Sequence, residues 1–324
     1  MKKRKIFLSL FVCIFMLLGC SKEESNSVIT IKKSDEAKTY EEETLTKYNN
    51  KQYFTEDYFD TSIEQLSSRT EQVFPECQLN NTLGFEEFED NKVYTLTSDN
   101  YENIILYIHG GAWIFEMNLA QVSFCDELAS RLNAKVYMPL YPLAPKSNCI
   151  ETMSFIEDLY KEILKENKTL YVMGDSAGGN IALNLMYTIK QEGLTNPNKL
   201  VVMAPVSDLT FSNLKSQEIN ETDHELDLYG LKKSAILWAG EDNLTNPKYS
   251  PLYADVQGYP DTMLVQGTND VLYPDNLILY QNMKDAGVNV TLVEGEDLWH
   301  VFPVFSIPEK EETLKLIKEF CAAK

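Results

Sequence analysis

Cysteine, histidine and basic charge are all scarce in this 324-residue chain. Six cysteines without a C-x-x-C pair are too few for a disulfide scaffold and exclude a zinc ribbon. Only three histidines occur, His109, His224 and His300, far apart and outside any H-E-x-x-H, so no metal site is expected. The 29 Lys and Arg face 49 Asp and Glu, a net charge of −20 with no compensating basic stripe. Such a surface repels a phosphate backbone and excludes nucleic acid as a partner. The N-terminal apolar run, Ile6 to Leu18, has 13 residues. A membrane span needs about 20. What is present, 44% hydrophobic residues with ordinary counts of 14 Gly and 12 Pro, excludes a disordered or fibrous chain. The length suits two average domains or one large α/β domain.

Lys2-Lys3-Arg4-Lys5 precedes the apolar run, which is the pattern of a secretory signal. The run ends in Leu17-Leu18-Gly19-Cys20, which resembles the bacterial lipoprotein box, with Cys20 as the lipid-bearing new N-terminus. The competing reading is an ordinary signal peptide or uncleaved anchor that happens to contain a cysteine. On the lipoprotein reading, residues 1–19 are a signal peptide, 20–48 a polar tether and 49–324 the folded body. The body then lies outside the cytoplasm, held to the bacterial membrane by the lipid on Cys20. Removal of the signal leaves 25 basic against 49 acidic residues, a balance of −24.

From about residue 92 the chain alternates. Strand candidates lie at 92–96, 103–108, 135–140, 170–173, 200–204, 262–266 and 288–293. Between most of them run segments of helical period at 121–132, 151–166, 178–191 and 276–286. This alternation predicts an α/β fold, a mainly parallel sheet with helices on both faces and ligands at the carboxyl ends of the strands. Two features stand outside the rhythm. Residues 53–74 carry apolar side chains at helical spacing, and almost sixty residues separate Ala204-Pro205 from the strand near Thr262. The second stretch includes the polar Asn220-Glu-Thr-Asp-His-Glu-Leu-Asp227 and has the length of a lid.

The chemistry concentrates at strand ends. Leu170-Tyr-Val-Met173 leads into Gly174-Asp-Ser176-Ala177-Gly-Gly179 and then into a helix-forming segment. A G-x-S-x-G between strand and helix is the setting of a nucleophile elbow. A phosphate-cradling turn is the competing reading, but no lysine follows the glycines and no G-x-G-x-x-G spacing is present. Upstream, Ile104-Ile-Leu-Tyr-Ile108 ends in His109-Gly110-Gly111-Ala112-Trp113. The amides of Gly110 and Gly111, with that of Ala177, can donate to a developing oxyanion. A serine needs a base. His109 sits before the glycine turn, where its expected role is to orient the loop, and His224 lies in the polar insertion. His300 follows a strand and is the expected base. Asp270, after the preceding strand, is the expected orienting carboxylate, with Asp275 and Glu294 as competitors. The order Ser176, Asp270, His300 is that of α/β-hydrolases.

From about Asn103 to the C-terminus, some two-thirds of the chain, the sequence resembles the hormone-sensitive-lipase-type branch of the α/β-hydrolases. The resemblance rests on His109-Gly-Gly-Ala-Trp113, Tyr141-Pro-Leu-Ala-Pro145, Gly174-Asp-Ser-Ala-Gly-Gly179, Ser250-Pro-Leu252, Asp270-Val-Leu272 and His300-Val-Phe-Pro303. It implies an α/β-hydrolase fold with a helical cap, here from about 49–80 and about 207–240. Pro142 and Lys146 replace a charge pair of the family's motif, and Ala112 stands where many relatives carry a third glycine.

The expected activity is hydrolysis of short-chain acyl esters by a serine carboxylesterase that needs no cofactor. Alternatives are removal of acetyl groups from carbohydrate at the cell surface, an amidase or formamidase, and, in another class, a non-catalytic surface-binding lipoprotein. The substrate is expected to be a small-molecule or carbohydrate ester. Cys77, Cys125, Cys149 and Cys321 could pair as disulfides outside the cell or sit as buried thiols. Aromatic residues of the cap could line an acyl pocket or simply pack.

Overall fold

Continuous apolar runs such as Ile104-Ile-Leu-Tyr-Ile108 need cover on both faces. The computed structural model, which describes residues 27–67 and 79–323, supplies that cover with helices on either side of a nine-stranded sheet. The strands are β1 (Val28–Lys32), β2 (Thr82–Phe88), β3 (Asn91–Thr97), β4 (Asn103–Ile108), β5 (Ala134–Pro139), β6 (Thr169–Asp175), β7 (Lys199–Met203), β8 (Thr262–Gly267) and β9 (Val290–Glu296). Their spatial order is β1-β9-β8-β7-β6-β4-β5-β3-β2. Neighbours run parallel, except that β3 is antiparallel to both β2 and β5.

The period-2 geometry of a strand divides the core. Ile104, Leu106 and Ile108 of β4 join one buried apolar cluster, while Ile105 and Tyr107 join the other. The helices in chain order are α1 (Asp35–Tyr40), α2 (Thr46–Tyr48), α3 (Phe59–Ser67), α4 (Leu119–Leu132), α5 (Cys149–Leu164), α6 (Ser176–Glu192), α7 (Leu214–Ile219), α8 (Leu228–Ala239), α9 (Tyr273–Asp285) and α10 (Pro308–Ala322). Apolar residues of α5, α6, α8 and α9 join the first cluster, those of α4 and α10 the second. Two helices start at reciprocal caps, Asn118 with Gln121 for α4 and Asn148 with Glu151 for α5. Each cap satisfies amides that the first turn leaves without partners.

The expected tether is corrected over the residues described. Val28–Lys32 forms an edge strand parallel to β9, from Val28 opposite Leu292 to Lys32 opposite Glu296. Ser34 then caps α1 by accepting from the amide of Ala37, and Ala37 and Leu45 are buried. The polar composition reflects one-sided exposure: in β1 only Ile31 is buried. The signal segment and Cys20 lie outside the described residues, as do Cys77 and residues 68–74 of the expected cap helix. Cys125, Cys149 and Cys321 are free, buried thiols, so the disulfide reading fails for these three. Each sits in an apolar cluster, where a thiol packs as a small hydrophobe.

Candidate active site

Ser176 is the first residue of α6, directly after β6, and has φ of +52°. A left-handed conformation in a residue with a side chain costs on the order of 1–3 kcal/mol and persists only where the surroundings impose it. Here the glycines impose it. A Cβ on Gly178 would lie 2.0 Å from the Ile108 carbonyl oxygen, and one on Gly174 would lie 2.6 Å from the Gly178 carbonyl oxygen. Only side-chain-free residues let the start of α6 press against the ends of β4 and β6.

The loop after β4 wraps the same spot. His109 is fully buried, with Nδ1 2.7 Å from the Gly110 carbonyl oxygen and its ring stacked on Tyr141 at 4.3 Å. Burial lowers its pKa to about 4, so it stays neutral and orients the loop. The Asp175 carboxylate lies on the loop's other side. It accepts from the Tyr107 hydroxyl at 2.6 Å and Gln121 Nε2 at 2.8 Å. Burial raises the Asp175 pKa, and these donors oppose the rise. Gly110 packs against this carboxylate so closely that an added Cβ would lie 2.3 Å from Oδ2. Among the described residues, no protein acceptor takes the amides of Gly111, Ala112 or Ala177. Ala177 is in the first turn of α6, where amides have no intrahelical partner.

His300 and Asp270 come together at the ends of β9 and β8. Gly267 makes the approach possible, because a Cβ there would lie 2.4 Å from the Leu298 carbonyl oxygen. The Asn269 amide donates to that same oxygen at 2.9 Å. His300 Nδ1 is 2.8 Å from Asp270 Oδ2, which also accepts from Gln266 Nε2 at 2.8 Å. The other oxygen of Asp270 accepts from the Leu272 amide at 2.9 Å. Burial lowers the His300 pKa, but Asp270 first, and then Asp223 and Glu225, more than offset it, and the net shift is upward. The competing carboxylates are engaged elsewhere. Asp275 accepts from Asn213 Nδ2 at 2.7 Å and Glu294 from the Tyr273 hydroxyl at 2.7 Å.

Ser176, His300, Gly110 and Gly111 line one cavity of about 440 Å³. That size is in the range of small-molecule sites. One wall is built jointly by the two segments expected to form the cap. The Lys51 amide donates to the His224 carbonyl at 3.2 Å, and Phe54 and Gly230 are in close contact. Phe54, Phe115, Leu226, Val304 and Phe305 supply apolar lining, and Asn50, Glu116 and Glu225 supply polar groups.

Three of these residues carry no motif. Asp175 was legible only as the variable position of G-x-S-x-G. Asp223 and Glu225 lie in the polar stretch of the insertion, and its density of acid was the sole signal. Asp223 is buried and accepts from the amides of Glu225 at 2.8 Å, Leu226 at 3.0 Å and Val271 at 3.0 Å. Burial, and then the Asp270 carboxylate, hold it well above the usual carboxylate range.

Among curated proteins, the chain is similar to an esterase of Acinetobacter venetianus, 29% identical over 226 residues that make up 68% of this chain and 75% of that protein. It is 23% identical to an acetyl-hydrolase of Streptomyces hygroscopicus over 67% of this chain and 74% of that one. A solved hormone-sensitive lipase from a metagenome library superposes with a TM-score of 0.74 at 26% identity, covering 86% of this chain and 96% of that one. A candidate esterase from Staphylococcus aureus shares the fold with a TM-score of 0.82 at 22% identity, over 87% and 99% of the two chains. Residues 105–304, from β4 past His300, match the alpha/beta hydrolase fold family, and the chain belongs to that family.

Proposed function

We propose that the protein is a serine carboxylesterase acting on short acyl esters. The observation that carries this reading is the 2.8 Å pair of His300 and Asp270 on a cavity that also receives Ser176 and the glycine turn. Ser176 Oγ attacks the ester carbonyl while His300 Nε2 takes its proton. Asp270 holds Nδ1 protonated and so fixes the tautomer that leaves Nε2 as the acceptor. The oxyanion is held by backbone amides. The amides of Gly110, Gly111 and Ala177 are the proposed donors. His300 returns the proton to the departing alkoxide, and water repeats the sequence on the acyl-enzyme. The acetyl-hydrolase relative supports a small acyl group, and the modest cavity supports the same limit.

The test is a series of chromogenic esters from acetyl to long acyl chains, with Ser176→Ala as the control. The expected result is hydrolysis concentrated at the short chains and abolished in the variant. No hydrolysis at any length would sink the reading, and activity surviving in Ser176→Ala would move the nucleophile elsewhere. The lipid anchor is a separate proposal, supported by the sequence of residues 2–20. Acyl labelling of the wild type and its loss in Cys20→Ala would support it. Retained labelling in that variant would overturn it.

A further inference from the structure

Glu225 is a buried carboxyl group that the proposed chemistry does not use. It is 8% exposed and lines the cavity beside His300. Its Oε2 accepts from Asn50 Nδ2 at 2.9 Å. Its Oε1 is shielded from solvent and has no hydrogen-bond partner among the described residues. A buried acceptor left unmatched is a liability in the free protein. It ceases to be one when a bound molecule supplies the missing partner.

The surroundings narrow what that partner is. Glu225 shares the cavity with His300, the group proposed to hand the proton to the departing alcohol, and is near enough to act on its charge. No lysine or arginine among the described residues lines the cavity, whereas Glu116, Asp175 and Glu225 do, so an anionic alcohol is disfavoured. Burial holds Glu225 above its ordinary value, against the pull of Asn50 and His300. The unpartnered Oε1 needs a hydrogen-bond donor, which a hydroxyl supplies and a quaternary ammonium lacks.

We propose that Glu225, steadied by Asn50, takes a hydroxyl of the substrate's alcohol, so that the preferred substrate is the acyl ester of a polyol or sugar. This rests on the esterase reading and specifies its substrate. It also selects between the expectations drawn from the sequence, favouring deacylation of a hydroxylated molecule over that of a simple alkyl ester. Glu225 is then a specificity residue from the insertion, and Asn50 a positioning residue from the N-terminal segment.

The experiment compares kcat/KM for size-matched acetates: propane-1,2-diol monoacetate and a monoacetylated glucose against propyl acetate and cyclohexyl acetate, with acetylcholine as the cationic member. p-Nitrophenyl acetate reports the ester chemistry itself. A hydrogen bond to a buried carboxyl is worth roughly tenfold to a hundredfold. Wild type is expected to prefer the hydroxylated member of each pair by about that factor, and Glu225→Leu to bring the ratio close to one. Glu225→Gln keeps the shape and is expected to lower the ratio less. It decides the matter if the leucine variant does not fold. A ratio unchanged in the variants, or a preference for acetylcholine over the diol ester, overturns the proposal while leaving the esterase reading intact. No hydrolysis even of p-nitrophenyl acetate would remove both.

Discussion

Tyr40 lies stacked against Trp299, with ring centroids 6.0 Å apart and planes inclined by 13°. Tyr40 ends α1, in the segment that composition alone reads as a tether, and Trp299 is the residue before His300. Both rings also meet Phe305 edge-on, at 6.0 and 5.8 Å. The N-terminal segment thus buttresses the loop that carries the proposed base. Tyr40→Ala removes two aromatic contacts, each worth about 0.5–1.5 kcal/mol beyond the area lost. The expected result is a lower midpoint in urea unfolding together with a several-fold drop in kcat and little change in KM, read in the same preparation.

Asp270→Asn leaves the shape of the His300 partner intact but alters which imidazole nitrogen is protonated. The expected loss in kcat is on the order of 10³–10⁴-fold. Asp275→Asn and Glu294→Gln, whose carboxylates are bonded to Asn213 and Tyr273, are expected to change kcat by less than about tenfold. Steady-state kinetics on one chromogenic ester separates the three.

The pH profile follows from the acids around His300. Catalysis needs the neutral imidazole, so kcat/KM falls as pH drops through the His300 pKa. Asp270, Asp223 and Glu225 raise that pKa against burial, so the acid limb is expected above the ordinary histidine value of about 6.5. Removing a negative charge favours the neutral form, and Asp223→Asn should move the limb to lower pH. A limb that stays in place would show that Asp223 is not ionised when the base titrates.

Gly178→Ala introduces a methyl group 2.0 Å from the Ile108 carbonyl oxygen, with the His109 carbonyl oxygen 2.4 Å away. Both obstacles are backbone, one at the end of β4 and one in the buried turn after it, and neither can swing aside. The expected destabilisation is roughly 3 kcal/mol or more, at the high end for a single substitution. Gly193→Ala is the informative contrast. Nothing stands within 4 Å of its Cβ, and its cost comes only from a φ of +65°, about 1 kcal/mol. Denaturant unfolding of the two variants compares packing with backbone strain.

Much of the sheet was legible because its strands are covered on both faces. The run at 103–108 is continuously apolar, and β4 has those bounds. The two strands that escaped, β1 and β2, are the edges. In β2 no residue is buried, and the Gly84 and Glu86-Glu87 interruptions hide its period. Asp270 and His300 were legible because chain order and strand ends constrain them. Glu225 was not, since its meaning depends on Asn50, 175 positions away, and on a cavity wall that exists only once the two segments meet. Gly110 shows a subtler limit. The motif announces a donor, but the Asp175 side chain packed against it is revealed only by the fold.

The parallel pairing of β1 with β9 joins residues about 264 positions apart. During synthesis the first of these strands emerges early and finds no partner until nearly the whole chain has been made. The Tyr40 stack on Trp299 likewise needs a partner made only near the end of the chain. A chain shortened by its last 25 residues keeps Ser176 but lacks His300, the proposed base.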